Sequence, residues 1–197
     1  MSGAAENLMT VDEFLAWERE QPERYEFAGG VAVMMTGGSL DHSTIASNLR
    51  TTLREKLRGT PCLPFRGDAK VIANGNVRYP DLTVTCSPIT GQDDLVPDPL
   101  LVFEVASPST ARADRGHKKF DYYATSSIRQ YVIVEQDERL IDLYTRTDDG
   151  WVNEIIAGDA VLVLSSIGVE IALDEIYEDT ELAATRPQAD EAPARAG

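Results

Sequence analysis

Two carboxylates stand on short and otherwise apolar segments. Asp81 follows Tyr79-Pro80 and opens the run Leu82-Thr83-Val84-Thr85, and Glu104 lies inside Leu100-Leu101-Val102-Phe103-Glu104-Val105. An ionised carboxylate is costly to bury unless positive charge meets it. Pro80 has no N–H and suits a strand start or edge, which sets Asp81 at the mouth of its strand. Taken alone, Asp81 also reads as an acid capping a turn. Glu104 has no such reading and needs a partner, either a buried Arg or Lys or a metal ion. Two acids on neighbouring strands, with few His or Cys ligands nearby, favour Mg²⁺ or Mn²⁺ over zinc. A metal between paired carboxylates suggests phosphodiester chemistry.

Lys118 lies in Asp114-Arg115-Gly116-His117-Lys118-Lys119, downstream of the Glu104 segment. A helix returning over the sheet would place Lys118, Tyr122 and Thr125 on one face and aim the lysine at the strand ends. The other reading is a solvated charge cluster. Lys119 points about 100° away from Lys118 on such a helix. Glu26, ahead of Gly29-Gly30, reads on its own as an exposed hairpin acid, His42 as a helix cap or surface residue, and Asp68 as a turn residue. The chain has no Gly-rich phosphate loop, no GxSxG elbow and no zinc motif.

These groups must be carried by an α/β (α+β) domain with a mixed central sheet flanked by helices. Thr10 and Glu13 form a capping-box pattern for a first helix that Pro22 closes. Tyr25-Glu26-Phe27, Gly29-Gly30 and Val31 to Met35 read as a hairpin. Ile45, Leu49, Leu53 and Leu57 recur at four-residue spacing and predict a helix from about Asp41 to Leu57. Strands are expected at Cys62 to Phe65, Ala69 to Ala73 and Tyr79 to Thr85, with Asn74-Gly75-Asn76 turning between the last two. Ser87 to Pro99 is a long polar loop, Leu100 to Ala106 a buried strand, and Ser107 to Thr125 a helix. Strands follow at Gln130 to Glu135, Leu140 to Thr145 and Trp151 to Ile156. Val161 to Ile171 alternates loosely, and Ile176-Tyr177 fits a short closing helix. The expected organisation is a flexible start over residues 1–9, one domain over 10–182, and a disordered acidic, Ala- and Pro-containing tail over 183–197.

The chain of 197 residues, 43% of them hydrophobic, suffices for one domain with a real core. No apolar stretch approaches the ~20 residues of a membrane span, and the first residues carry no secretory pattern. Cys62 and Cys86 have neither metal-ligand spacing nor a disulfide framework, so two reduced thiols in a cytoplasmic protein are expected. The net charge of −15 argues against nucleic acid. It is unevenly spread: acids crowd residues 170–197, whereas Arg112, Arg115, Lys118, Lys119 and Arg129 outweigh Asp114 and Asp121 over residues 110–130. A positive patch on an acidic body is the expectation.

The segments YEFAGGVAVMM, DHSTIASNLRTTL, YPDLTV, LVFEVASPSTARADRGHKKFDYY and RQYVIVEQDERLIDLY occur in this order. Together they resemble the Uma2 family (DUF820) of restriction-endonuclease-like proteins, within the PD-(D/E)XK nuclease superfamily, over residues 10 to 178. The resemblance implies a restriction-endonuclease-like fold, with Asp81 as the Asp of the PD motif and Glu104 as the following acid. It implies an active-site role for Glu26 and matches His42 to the His that opens the family's next helix. The superfamily's lysine stands two residues after the acid, where this chain has Ala106; the resemblance implies that Lys118 takes that place from the following helix.

The resulting expectation is a Mg²⁺- (or Mn²⁺-) dependent endonuclease acting on DNA. Asp81, Glu104 and the Val105 carbonyl would hold the ion, and Lys118 would orient water and stabilise charge. Glu26 would bind a second ion or fix Lys118. His42, Arg115 and Lys119 would contact substrate. A homodimer fits double-strand cleavage. Two other readings stay open: a catalytically degenerate nuclease fold that binds a partner, and a metal-dependent hydrolase of a small phosphorylated substrate.

Overall fold

The unbroken apolar segment that holds Glu104 becomes an interior strand of the main sheet. In the computed structural model, residues 8–35, 37–91, 94–107 and 114–183 are described. In chain order the elements are α1 (Val11–Glu18), β1 (Tyr25–Ala28), β2 (Val31–Met34), α2 (Leu40–Lys56), β3 (Leu63–Arg66), β4 (Val71–Ala73), β5 (Asn76–Arg78), β6 (Leu82–Thr85) and β7 (Leu101–Ala106). A π-helical turn (Asp114–Lys118) then leads into α3 (Lys119–Ala124), β8 (Gln130–Glu135), β9 (Leu140–Thr147), β10 (Gly150–Ala157), β11 (Val161–Leu164), β12 (Val169–Ala172) and α4 (Leu173–Ile176). Of the expected flexible start (1–9) and tail (183–197), residues 1–7 and 184–197 lie outside the described residues, as do residues 108–113 of the expected 107–125 helix.

Among the described residues the strands form a mixed six-stranded sheet, β10-β9-β8-β7-β6-β3, a four-stranded sheet, β2-β1-β5-β4, and the β11-β12 hairpin. β7 and β8 run parallel and the other paired neighbours in the large sheet antiparallel. β7 is buried along its whole length because both of its faces are covered. Leu101, Phe103 and Val105 join the core under α2, which contributes Ile45, Leu49 and Leu53. Val102 and Ala106 face the other way and pack with Tyr122 and Tyr131. Glu104 falls between them, so it projects beneath α3.

Local signals set the helix starts. Thr10 and Glu13 cap α1 reciprocally, and Ser39 accepts from the His42 N–H to cap α2. The helix α1 ends at Glu18, ahead of Pro22. Gly29 and Gly30 take φ of 58° and 91°, as the tight β1–β2 turn requires.

Three expectations need correction. The strand after Asn74-Gly75 is β5, paired with β4, and it ends at Arg78. The chain then leaves the small sheet at Tyr79-Pro80-Asp81 and enters the large one as β6, because Pro80 cannot continue a ladder. Between Asp114 and Thr125 the helix opens as a π turn before becoming α-helical. Cys62 and Cys86 are joined in a disulfide rather than being free thiols. The antiparallel register Leu63↔Thr85 sets the two cysteines opposite one another at the next position, a proximity that only the register reveals.

Candidate active site

The crossing from β5 to β6 places Asp81 where the two sheets meet. The register Thr83↔Val102, Leu82↔Phe103 carried one residue further sets Asp81 opposite Glu104. Asp81 has left the ladder, and its carboxylate substitutes for a strand carbonyl: the Val105 N–H donates to Oδ2 at 2.7 Å. The same oxygen lies 3.1 Å from His42 Nε2, delivered by the first turn of α2. Ser39 fixes that turn and therefore the imidazole.

Glu104 is nearly sealed, with its side chain 4% exposed. Its Oε1 accepts from Tyr122 Oη at 2.7 Å and from Lys118 Nζ at 3.1 Å. The two donors are four residues apart, so one helical face presents both to the same oxygen. Burial, and then the Glu104 charge, push the Tyr122 phenol well above its ordinary range and keep it a donor.

Lys118 also lies 3.3 Å from Glu26 Oε1. Glu26 Oε1 accepts from the Tyr79 N–H at 3.3 Å, and its Oε2 from Arg78 Nη1 at 3.1 Å. The other edge of the Arg78 guanidinium is bound by Asp121 Oδ2, at 2.9 Å from Nε and 2.6 Å from Nη2. Asp121 is held in turn by Asn76 at 2.8 Å. Asp121, Arg78, Glu26, Lys118 and Glu104 thus alternate in sign along one buried chain. That alternation is what permits five ionisable groups to share an interior. Hydrogen bonding and charge from Asp121 and Glu26 outweigh desolvation and raise the Arg78 pKa.

Glu26, Asp81, Glu104, Lys118 and the Val105 backbone therefore lie together, with His42 on the α2 side. Arg115 is placed elsewhere, paired with Asp142 at 2.8 Å and with Glu135. Lys119 lies over the rings of Tyr144 and Tyr123, at 4.1 and 5.3 Å. Asp68 lines an open cavity of about 410 Å³ beside Asp81 and His42. The sequence reading missed Arg78 and gave Asp121 no role. The only available signal was a charged residue between two strand-like stretches, and it named no partner.

The oxygen donors suit a hard cation. Among the described residues no three His, Cys, Asp or Glu side chains converge to hold a metal by themselves. Mg²⁺ commonly binds through one or two carboxylates with water and substrate phosphate completing its shell, so two carboxylates and a strand end fit it better than Ca²⁺ or Zn²⁺. A cavity of about 730 Å³, lined by Ile72, Leu95 to Pro99 and Thr125 to Ser127 among others, shares no lining residue with this cluster.

Comparison with known proteins agrees with the motif reading. The family profile Uma2, described as "Putative restriction endonuclease", matches residues 11–174. An uncharacterized Synechocystis protein, slr1290, is 36% identical over 173 residues, covering 86% of this chain and 91% of its own. A second one from that organism, sll1609, is 26% identical over 152 residues, covering 74% of this chain and 85% of its own. A crystal structure from Anabaena variabilis, titled a putative nuclease belonging to DUF820, superposes with a TM-score of 0.70 at 16% identity, over 86% of this chain and 97% of that one. At that identity the likeness concerns the fold, which is the mixed α+β architecture described above. The profile match over most of the chain carries the assignment: this chain belongs to the Uma2 family of restriction-endonuclease-like proteins.

Proposed function

We propose that the protein is an endonuclease that hydrolyses phosphodiester bonds of DNA with Mg²⁺, or Mn²⁺, as its cofactor. The observation that carries the reading is the approach of Lys118 to the buried Glu104, next to the register position of Asp81. Asp81, Glu104 and the Val105 carbonyl are the groups that would hold the ion. The ion, when bound, supplies a Lewis acid for the phosphate and lowers the pKa of coordinated water.

The remaining work belongs to the chain's own groups. Lys118 Nζ orients the attacking water and meets charge developing on the phosphate. Glu26 holds Lys118 from its far side, and Arg78 holds Glu26. Tyr122 fixes the rotamer of Glu104. His42 steadies the Asp81 carboxylate from α2. The Val105 N–H fixes the oxygen of Asp81 to which it donates.

The test is nicking and linearisation of supercoiled plasmid with Mg²⁺, Mn²⁺ or EDTA. Wild type should cut with either metal and not with EDTA. Asp81→Asn, Glu104→Gln and Lys118→Met should each slow cutting about a hundredfold or more, equivalent to roughly 3 kcal/mol of transition-state stabilisation. Cutting by Asp81→Asn at the wild-type rate would remove the assignment.

A second reading, a degenerate nuclease fold that binds a partner without cutting, draws on one observation. Asp81 Oδ2 and Glu104 Oε1 each already accept two close contacts from protein groups. Calorimetric titration with Mn²⁺ separates the two: a catalytic site takes up the ion, and a degenerate one does not.

A further inference from the structure

On a chain of net charge −15, the positive surface next to the site is not the segment around Arg115 and Lys119. Arg115 is taken by Glu135 and Asp142, and Lys119 by two tyrosine rings. Arg50, Arg54 and Arg66 behave differently. All three are exposed, and among the described residues none has a salt-bridge partner within 4.0 Å.

These arginines line one groove. A cavity of about 620 Å³ between α2 and the edge strand β3 is lined by Arg50, Arg54, Phe65, Arg66 and Asp68, among others. Arg66 and Asp68 also line the adjoining cavity that holds Arg24, His42 and Asp81. At the other end, Arg54 is shared with a third cavity that includes Arg58. Arg58, Arg54, Arg50, Arg66 and Arg24 therefore form a continuous cationic track that ends at Asp81. Asp68 is the one acid among the lining residues of these three cavities apart from Asp81 itself. Arg24 is oriented by donating to the Gly67 carbonyl at 3.3 Å and lies over the Tyr79 ring.

The geometry points to this groove as the path of one nucleic-acid strand, with Arg50, Arg54 and Arg66 contacting phosphates spaced along it and delivering the scissile one to Asp81. The inference rests on the phosphodiester reading above and adds where the substrate lies. Arg50 and Arg54 are one helical turn apart, about 6 Å along the axis, close to two steps of about 3.4 Å along a B-form strand. The groove is open along its length, as a polymer needs, and apart from the three arginines and Asp68 its lining is Leu63, Pro64, Ile89 and a partly buried aromatic ring, Phe65. Such a lining contacts backbone rather than base edges, so binding should be weakly dependent on sequence.

The test is fluorescence anisotropy with a labelled 20-nucleotide single strand and its duplex, in EDTA, over a range of salt. Arg50→Gln/Arg54→Gln is compared with a charge-matched control, Arg19→Gln/Arg129→Gln. Circular dichroism confirms that both variants are folded. The expected result is that the track variant raises Kd about tenfold at low salt and reduces the slope of log K against log salt by about 2, while the control stays within about twofold of wild type. If wild type binds and the track variant binds equally, or the control loses as much, the track is overturned and the catalytic assignment stands. If wild type hydrolyses bis(p-nitrophenyl) phosphate yet binds neither oligonucleotide, the track is again overturned, and the site acts on something smaller. If it does neither, both inferences fall.

Discussion

Lys118 meets Glu104 at 3.1 Å although fourteen residues and a change of element separate them. The contact depends on the π turn that precedes α3, after which Lys118 and Tyr122 fall on one face above β7. Irregular helical turns of this kind recur at functional sites because they re-aim a side chain that a regular helix would send elsewhere. A lysine thus reaches Glu104 from the element that follows β7, whose own last residue is Ala106.

Metal uptake should depend on the carboxylate of Glu104. In Mn²⁺ titration calorimetry the wild type should show saturable binding, and Glu104→Gln, which keeps the shape and removes the charge, should weaken it about tenfold or more. Lys118→Met should leave binding intact or tighten it, since it removes a competing cation 3.1 Å from that carboxylate.

Arg78 is the hinge of the buried charge chain. Arg78→Met would leave Asp121 inside without its counter-charge and Glu26 with Lys118 alone. We expect a loss of about 3 kcal/mol or more in urea denaturation. Combining it with Asp121→Asn should cost less than the two single losses added together, because the second change relieves what the first exposed.

On the proposed reading His42 acts through Asp81, which its Nε2 meets at 3.1 Å. His42→Ala should lower the plasmid-cutting rate about tenfold to a hundredfold while shifting the thermal midpoint little, given its partly exposed position at the start of α2. Measuring rate and melting temperature on the same sample separates the two effects.

Stability should fall at high pH. Tyr122 and Tyr177 both carry raised pKa values, chiefly through burial. They hold their protons in the fold after the unfolded chain has begun to lose them near the ordinary value of 10.0. The stabilisation is complete below that pH and drains away as pH climbs towards the folded values. Urea midpoints measured from pH 8 to 11 should stay level and then decline, and Tyr122→Phe should make the decline shallower.

The disulfide is open to a direct check. Without reductant, thiol titration of the unfolded chain should find no free cysteine, and reduction should expose Cys62 and Cys86. Closing a loop with a sequence separation of 24 should stabilise the fold by about 3 kcal/mol, seen as a lower urea midpoint after reduction.

Much of the fold was legible in the chain. The capping box at Thr10 and Glu13, the four-residue spacing of Ile45, Leu49 and Leu53, and the apolar run before Ala106 each depend on neighbours within a turn or two, and each became the element it suggested. The family, too, was readable from the order of its motifs. The strand after Asn74-Gly75 went astray because either sheet could have accepted it. The pattern of residues 76–85 is equally apolar on both sides of Pro80, and only packing decided that Arg78 would end one sheet and Leu82 begin another.

From the sequence alone came the chemical types, two carboxylates and a lysine on or near buried strands, and the elements that carry them. Distances between residues far apart in the chain came from the tertiary structure. It set Arg78 between Glu26 and Asp121, joined Cys62 to Cys86, paired Arg115 with Glu135 and Asp142, and left the arginines of α2 and β3 along a groove leading to Asp81. A charge in a sequence has no neighbours until strands choose their register and helices their face, and its neighbours decide whether it is neutralised in place or left to meet a ligand.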